Sequence, residues 1–278
     1  MAHICKVIGI GILNCFRDKK WRQNKLRYFL SYIHYSLKYL IYLKILRVPL
    51  HFESVNGYNL TFFHYSIFHS LFEDMFLNDE YYIPLPKKPH IIDLGSEVGI
   101  STTYFTLTYP RATILAFEPD PASYLLLCKN SKSNCMHHVR TFNLAVSNKE
   151  GIVPFYIDPL VDGALTMSLS LLRQKKKILV KVKKISQFIT KKVNLLKIDI
   201  EGAELAVLQD LSKSHKIQHI DSLIIEYHHH IDNNSDNLSL LLNILEKEKF
   251  GYQIRAKYPL PFKKMYYQDF LIFAYKKA

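Results

Sequence analysis

Two hydropathy rhythms divide the chain. From residue 90 onward, short and almost wholly apolar runs alternate with stretches whose apolar positions recur every three or four residues. The runs predict strands at 90–94, 113–117, 139–143, 195–200 and 222–227. The stretches between them predict helices at 100–108, 121–130, 204–211 and 237–249. A β-rich segment at 152–157, a strand at 178–182 and a turn of helix at 185–190 fall before the fourth main strand. Strands at 251–256 and 270–275 close the chain with no helix between them. Strands that are apolar on both faces need cover on both, so the pattern is that of an α/β domain with a parallel sheet wrapped by helices. Ligands of such a sheet sit outside the carboxyl ends of its strands, where the strand order reverses.

Before residue 90 the rhythm changes. Leu26, Phe29, Leu30, Ile33, Leu37, Leu40 and Ile41 recur at helical spacing and predict one long helix over 26–46, interrupted in polarity by Lys38 and Lys44. Asn56-Gly57 predicts a hairpin of 51–55 with 58–64, followed by a helix through Phe72 and Met75. Pro49 ends the first segment, and Pro84, Pro86 and Pro89 punctuate the second. The expected organisation is a helical arm (1–50), a hairpin and helix leading into the core (51–88), and the α/β domain (89–278).

Charge sharpens that division. The 278-residue chain carries a formal +13. Residues 1–50 hold ten Lys/Arg and one acid, Asp18, a net +9 that leaves only +4 for the other 228 residues. A second run, from Arg173 to Lys184, holds seven cations. Such clusters attract lipid head groups, nucleic acid or acidic glycans, or simply solvate a surface. A basic amphipathic helix like 26–46 lies on an anionic membrane or packs against a partner. No charge-free apolar run is long enough to predict a membrane-spanning helix, and the apolar stretch 7–13 is short for a signal-peptide core. Cys5, Cys15, Cys128 and Cys135 show neither CxxC nor zinc spacing and read as reduced thiols, and no metal ion is assigned. The expected location is the cytoplasm, with peripheral contact at the inner membrane face through residues 1–50.

The chemistry concentrates at three strand ends. Asp93-Leu94-Gly95-Ser96-Glu97-Val98-Gly99 closes the first strand of the α/β domain. Gly95 allows a tight turn, and Gly99 allows a close approach of the following helix. That helix offers its amino terminus to an anion. Ser96 stands near the middle glycine of a dinucleotide fingerprint, which makes a carboxylate a better fit than a pyrophosphate. Asp93 suits an ammonium group. Glu118, about twenty residues on, suits the two hydroxyls of a ribose. These demands together describe S-adenosylmethionine. Asp199 and Glu201 lie two apart at the end of the 195–200 strand, so in extended chain they point the same way, with Ile198 and Ile200 opposite. Two carboxylates at a cleft edge serve as a general base, a substrate clamp or a metal pair. Glu204 reads as a first-turn acid complementing the helix dipole. His228, His229 and His230 follow the next strand; a histidine near neutral pKa takes a proton from a hydroxyl, and the same run also reads as exposed loop histidines or as a metal-binding run. Glu226, opposite Tyr227, reads as an orienting group or a base.

These segments, in order, resemble the FkbM family of methyltransferases: Ile91 to Gly99, Ala116 to Pro121, Asn143-Leu144-Ala145-Val146-Ser147 with Gly151, Leu196 to Glu204, and Ile225-Glu226-Tyr227-His228. The resemblance runs from about residue 81 to 275, and the 197–204 block is its most specific piece. It implies a Rossmann-like class I methyltransferase fold, a seven-stranded, mostly parallel sheet with an antiparallel last strand, here carrying a helical amino-terminal extension. It implies S-adenosylmethionine as cofactor, contacted at Asp93, Gly95, Ser96, Gly99, Ser101, Glu118, Pro119, Asn143, Ala145 and Asp199. It implies O-methylation of a sugar or natural-product hydroxyl, with Asp199, Glu201 and His228 as catalytic residues. Glu97 departs from the Asn common in the family and would repel a cofactor carboxylate if it pointed inward. Asp199-Ile200-Glu201-Gly202 stands where methyltransferases of nucleobase amines often carry Asn/Asp-Pro-Pro-Tyr, which favours an alcohol acceptor, a saccharide or small molecule. The alternatives are a basic nucleic-acid-binding methyltransferase, argued from the arm's charge, and a non-catalytic scaffold of the same fold.

Overall fold

A computed structural model describes residues 22–157, 176–229, 237–256 and 268–277. The chain divides into two compact units, Met1–Pro84 and Leu85–Ala278.

In the first unit, helix α1 (Arg22–Lys38) runs directly into a π-helical stretch, Tyr39–Leu46, which ends at Arg47 in left-handed conformation. Strands β1 (Phe52–Val55) and β2 (Tyr58–Thr61) form the expected antiparallel hairpin. Asn56 and Gly57 both have positive φ, as a two-residue turn matched to strand twist requires. Helix α2 (Tyr65–Phe72) follows and ends in a π turn, Glu73–Leu77. The core here is aromatic. Tyr28, Tyr32 and Tyr35 of α1 are buried, and Tyr35 meets Phe68 and Phe72 edge to face. Their hydroxyls are satisfied: Tyr32 donates to Glu73 at 2.7 Å and Tyr35 to the Ser54 carbonyl at 2.7 Å. The predicted aliphatic stripe is therefore not the packing face. Leu26, Leu30, Leu37, Leu40 and Ile41 are exposed. The tyrosines win because they also recur at helical spacing, bury larger rings and find partners for their polar tips. Two arm cations serve this unit internally. Lys25 bonds the carbonyls of Phe76 and Leu77 and pairs with Asp79, and Lys38 pairs with Glu53 at 2.7 Å. The arm and the hairpin thus form one unit.

The second unit is built on β3 (His90–Leu94), α3 (Ile100–Thr108), β4 (Thr113–Phe117), α4 (Pro121–Ser133), β5 (Val139–Phe142), β6 (Ala145–Ser147), β7 (Gly151–Ile157), β8 (Lys176–Lys184), β9 (Val193–Ile198), α5 (Glu204–Lys213), β10 (Ile220–His229), α6 (Leu238–Lys247), β11 (Phe250–Ala256) and β12 (Gln268–Lys276). The main sheet has seven strands in the order β11-β12-β10-β9-β3-β4-β5. All pairings from β10 to β5 are parallel, while β12 inserts antiparallel between β10 and β11. The order reverses between β3 and β9, the place where a ligand crevice opens. Ile92, Leu94, Leu196, Ile198, Leu223 and Ile225 are buried in one cluster with Val207, Leu208 and Leu211 of α5 and Leu241 and Leu245 of α6.

Three differences from the sequence expectation matter. Strand β9 stops at Ile198, so Asp199 and Ile200 lie beyond it, and β10 continues two residues further than expected, through His229. The segments between β5 and β9 form a separate sheet, β6-β8-β7. On β8, exposed Lys181 and Lys183 alternate with buried Val180 and Val182, so this part of the basic run is the solvated face of a strand. Lys176 and Lys177 at the start of β8 are exposed as well, whereas Arg173 and Lys175 lie outside the described residues, as do Cys5, Cys15 and the first 21 residues of the arm, which carry +3 of its +9.

Candidate active site

Parallel register assembles the site before any side chain is considered. The last pairs along the sheet are Phe142 with Phe117, Phe117 with Leu94, Leu94 with Ile198, and Ile198 with Ile225. One residue further, Asn143, Glu118, Gly95, Asp199 and Glu226 stand in a row at the carboxyl edge. His228, two residues beyond Glu226, shares its face of β10.

Gly95 is the mechanical centre of that row. It has φ +75, and a Cβ there would lie 1.7 Å from the Asp199 carbonyl oxygen. The β3 turn and the β9 turn are therefore in backbone contact, and only glycine permits it. The N–H groups of Gly95 and Ser96 both bond the Phe117 carbonyl, which ties this turn to β4. Gly99 has φ +93, and a Cβ there would meet Leu127 of α4 at 2.8 Å.

Lys197 is the internal counter-ion. Almost fully buried on β9, it lies 3.1 Å from Asp199 Oδ2 and 3.5 Å from Asp93 Oδ1, and it bonds the carbonyls of Leu94 and Gly95. Burial opposes its charge, but Asp199 and Asp93 override that and hold the ammonium's pKa above its usual value. Asp93 is fully buried, and its Oδ2 accepts from Ser101 and Thr102 at 2.8 Å each. Asp93 and Ser101 thus brace the start of α3 from inside.

Two glutamates face each other across the first crevice. Glu118 Oε2 accepts from the Glu97 N–H at 2.9 Å, and its Oε1 accepts from the Asp120 N–H at 2.8 Å. Burial raises the Glu118 pKa to about 8, against the pull of the Asp120 N–H. Glu97 has φ +46 and a pKa raised to about 8, first by burial and then by the charge of Asp199, with Lys197 opposing. Glu97 therefore lies in the field of the acidic row. Asn143 donates to the carbonyls of Glu118 and Pro119, at 2.9 and 3.0 Å, fixing the β4 turn. Ser96 is buried with its hydroxyl on the Asp93 carbonyl. Ala145 is buried in the small sheet's core with Phe155, Val180 and Val182.

The second crevice holds the histidine. His228 is buried and turned away from Tyr227 and His229, and His229 packs against Phe270. Its Nδ1 lies 2.8 Å from Glu204 Oε1, an atom that also accepts from the Gly202 N–H at 2.9 Å. Nε2 faces Glu201 Oε1 at 3.5 Å and Asp199 Oδ1 at 3.7 Å. Glu201 reaches this position through a left-handed backbone, φ +53, not through an extended strand. Asp199 and Glu201 converge because the chain turns between them, contrary to the alternation expected of a strand. Burial alone would strip the proton from His228, but Glu201, Glu204 and Asp199 outweigh it and hold the pKa well above its ordinary value. Burial likewise pushes Glu201 well above the carboxylate range, with His228 pulling it down and Asp199 and Glu204 adding to the rise. The imidazole in this setting keeps its proton near neutrality, which differs from the near-neutral pKa expected of it. His230 lies outside the described residues.

Sequence reasoning gave Lys197, inside the 197–204 block, no role and read Glu204 as a helix-dipole acid. Glu204 does begin α5, and it also orients His228. A lysine inside an apolar run, two residues before an acid, was the signal available for Lys197.

Comparison with known proteins follows the same segments. The sequence model of the methyltransferase FkbM domain matches residues 93–254. "Methyltransferase 1" of Beauveria bassiana is 27% identical over 206 residues, covering 66% of this chain and 81% of that protein. "Hexuronic acid methyltransferase AglP" of Haloferax volcanii is 25% identical over 149 residues, covering 50% of this chain and 56% of that protein. The crystal structure of a methyltransferase FkbM from Methylobacillus flagellatus aligns with a TM-score of 0.49 at 14% identity, over 92% of this chain and 60% of that one.

Proposed function

The chain belongs to the FkbM methyltransferase family, and on that premise we propose that it methylates a hydroxyl of a sugar in a glycan, glycolipid or natural product. S-adenosylmethionine is the methyl donor of these enzymes, and the donor set at the edge suits it. Glu118 presents a carboxylate at the end of β4 with each oxygen already oriented by a backbone N–H, leaving its other lone pairs for a ribose diol. Glu97 and Asp199 give the neighbouring turns acidic groups for the cationic end of the cofactor. When bound, the cofactor supplies a methyl group on a positively charged sulfur, which leaves as a neutral thioether once an oxygen has taken the methyl.

The chain's own residues then have three tasks. Gly95, Asn143 and Lys197 hold the three turns in fixed register, so that positioning does most of the work. The carboxylate of Glu201, its pKa raised toward the working range, accepts the hydroxyl proton. His228, held by Glu204, stabilises the carboxylates beside the acceptor. The observation that carries this reading is the convergence of Asp199, Glu201 and His228 beside the glycine turn, with Asp199 in the same row as Glu118. The likeness to a hexuronic acid methyltransferase supports a saccharide acceptor. The test is transfer of labelled methyl from S-adenosylmethionine to uronic-acid-containing glycans. Transfer that Glu201→Gln reduces at least tenfold supports the reading, and labelling of RNA but of no glycan sinks it.

The first unit supports a second proposal, about location. Among the described residues no helix is long and apolar enough to cross a membrane. Leu26, Leu30, Leu37, Leu40, Ile41 and Ile45 are exposed along one continuous helix that also carries Arg27 and Lys44 and ends at Arg47. This composition suits an anionic lipid surface, with apolar side chains entering the head-group region and cations meeting its charge. Flotation with phosphatidylglycerol vesicles tests it: Leu30→Glu/Leu37→Glu is expected to abolish co-flotation, and flotation unchanged by that pair overturns it.

A further inference from the structure

We propose that Asp199, Glu201 and His228 form a divalent-cation site whose open positions hold neighbouring oxygens of the methyl acceptor. The acceptor half of this statement rests on the sugar reading above, and the cation site stands without it.

One donor atom from each of the three residues lies within 4.8 Å of the other two. His228 Nε2 is 3.5 Å from Glu201 Oε1 and 3.7 Å from Asp199 Oδ1. These separations exceed those of good hydrogen bonds. They are somewhat wider than the roughly 3 Å between neighbouring donors that each sit about 2.1 Å from a shared octahedral ion. The groups are spaced to share something between them.

The opposite face of the imidazole makes the stronger argument. Glu204 is 1% exposed, and its Oε1 lies 2.8 Å from His228 Nδ1. A buried carboxylate on the far nitrogen is the arrangement that fixes tautomer and ring angle in metal-ligating histidines, aiming Nε2 and its lone pair at the ion. Asp199 is oriented in the same way. Lys197 takes Oδ2 at 3.1 Å and leaves Oδ1 on the histidine side. Two of the three donors are thus preset by buried partners outside the ligand set, Glu204 and Lys197. Carboxylates also outnumber cations at this spot, with Asp199, Glu201, Glu204 and Glu226 set against Lys197 and the protonated His228.

The site is open on one side. His228 is buried, while the Asp199 and Glu201 side chains keep 26% and 18% of their surface exposed. Three protein donors with an open face are the pattern of reactive metal sites, not structural ones. The cation takes the place at Nε2 that a proton otherwise holds. Two carboxylate oxygens and one imidazole nitrogen suit Mn2+ and its neighbours among the divalent ions. A pair of adjacent sugar hydroxyls fills the open positions, and Glu201 keeps its second oxygen for the acceptor proton.

The experiment uses the full chain, dialysed against chelator and titrated with Mn2+. One Mn2+ per chain is expected, with a single imidazole-nitrogen coupling in pulsed paramagnetic resonance. His228→Ala is expected to erase that coupling. Glu201→Gln, at the open edge, is expected to weaken Mn2+ binding at least tenfold while the thermal midpoint holds, and it carries the test should His228→Ala fail to fold. No bound Mn2+ at millimolar concentration, or binding with no nitrogen coupling, or binding indifferent to Glu201→Gln, overturns the site. Glycan methylation that survives complete chelation overturns the ion's role in holding the acceptor, whereas tight Mn2+ binding without any glycan methylation overturns only the sugar reading.

Discussion

The turns after β3 and β9 are neighbours in the sheet and solve the same problem differently. Each leaves a buried strand, passes through a glutamate in left-handed conformation, Glu97 at φ +46 and Glu201 at φ +53, and enters a helix. In each the glutamate's pKa is pushed upward by burial. The β3 turn carries its glutamate into a field of other acids with Lys197 as the opposing charge, whereas the β9 turn gives its glutamate an oriented histidine. The first arrangement is short of positive charge until a cationic ligand arrives. The second holds its own. The difference teaches that one crevice is prepared for a charged cofactor and the other for proton handling, although the two turns touch through Gly95 and Asp199.

Breaking the contact between the turns should have the largest effect. Gly95→Ala sets a methyl group against the Asp199 carbonyl and forces a positive φ on alanine, and neither backbone can retreat without losing strand register. The expected loss is about 4 kcal/mol or more of unfolding free energy in urea titration. Lys197→Met comes next. It keeps the volume but leaves Asp93 and Asp199 without their shared cation, an expected loss of about 3 kcal/mol by the same measurement.

The electrostatic contrast predicts a pH effect. Glu97 in the free chain has a pKa of about 8, so near neutrality it is largely protonated. A cation bound beside it favours the ionised form, and binding therefore expels a proton. Affinity for S-adenosylmethionine should rise with pH up to about 8 and then level, by about tenfold from pH 6.5 to 8.5 in calorimetry of chelator-treated protein. Glu97→Gln should flatten that rise. Stability of the unliganded chain runs the other way. The folded state keeps protons on Glu97 and Glu118 that the unfolded chain releases above its ordinary value of 4.5, so stability falls as pH climbs from there toward about 8.

The smallest effect should come from Glu97→Asn. Asparagine tolerates the left-handed region better than glutamate and removes one member of the acidic cluster. A gain of about 0.5–1 kcal/mol in unfolding free energy is expected, with the pH dependence of cofactor binding reduced at the same time.

Much of the α/β unit was legible in the sequence. Strands β3 and β4 and helix α3 fall where their apolar runs and glycines predicted, because a strand buried on both faces has few other ways to satisfy its pattern. The carboxyl-edge residues Asp93, Gly95, Glu118 and Asp199 were readable from position alone. The amino-terminal helix was legible as a helix but not by its face. Tyrosine and leucine stripes both had helical spacing, and only packing against Phe68, Phe72 and Phe76 chose the tyrosines. Glu201 was placed correctly near Asp199 for an incorrect local reason, since sequence alternation gives no warning of a left-handed residue.

The sequence by itself determined the rhythm of strands and helices and the acids and glycines at their ends, because burial period and turn chemistry are local properties of the chain. Which of those residues face each other was decided by the tertiary structure. Parallel register lined up Glu118, Gly95, Asp199 and Glu226, and it brought His228 between Glu204 and two further carboxylates from a turn more than twenty residues away. Charges at such separations in the chain acquire their meaning only when folding removes the water between them and fixes their distances.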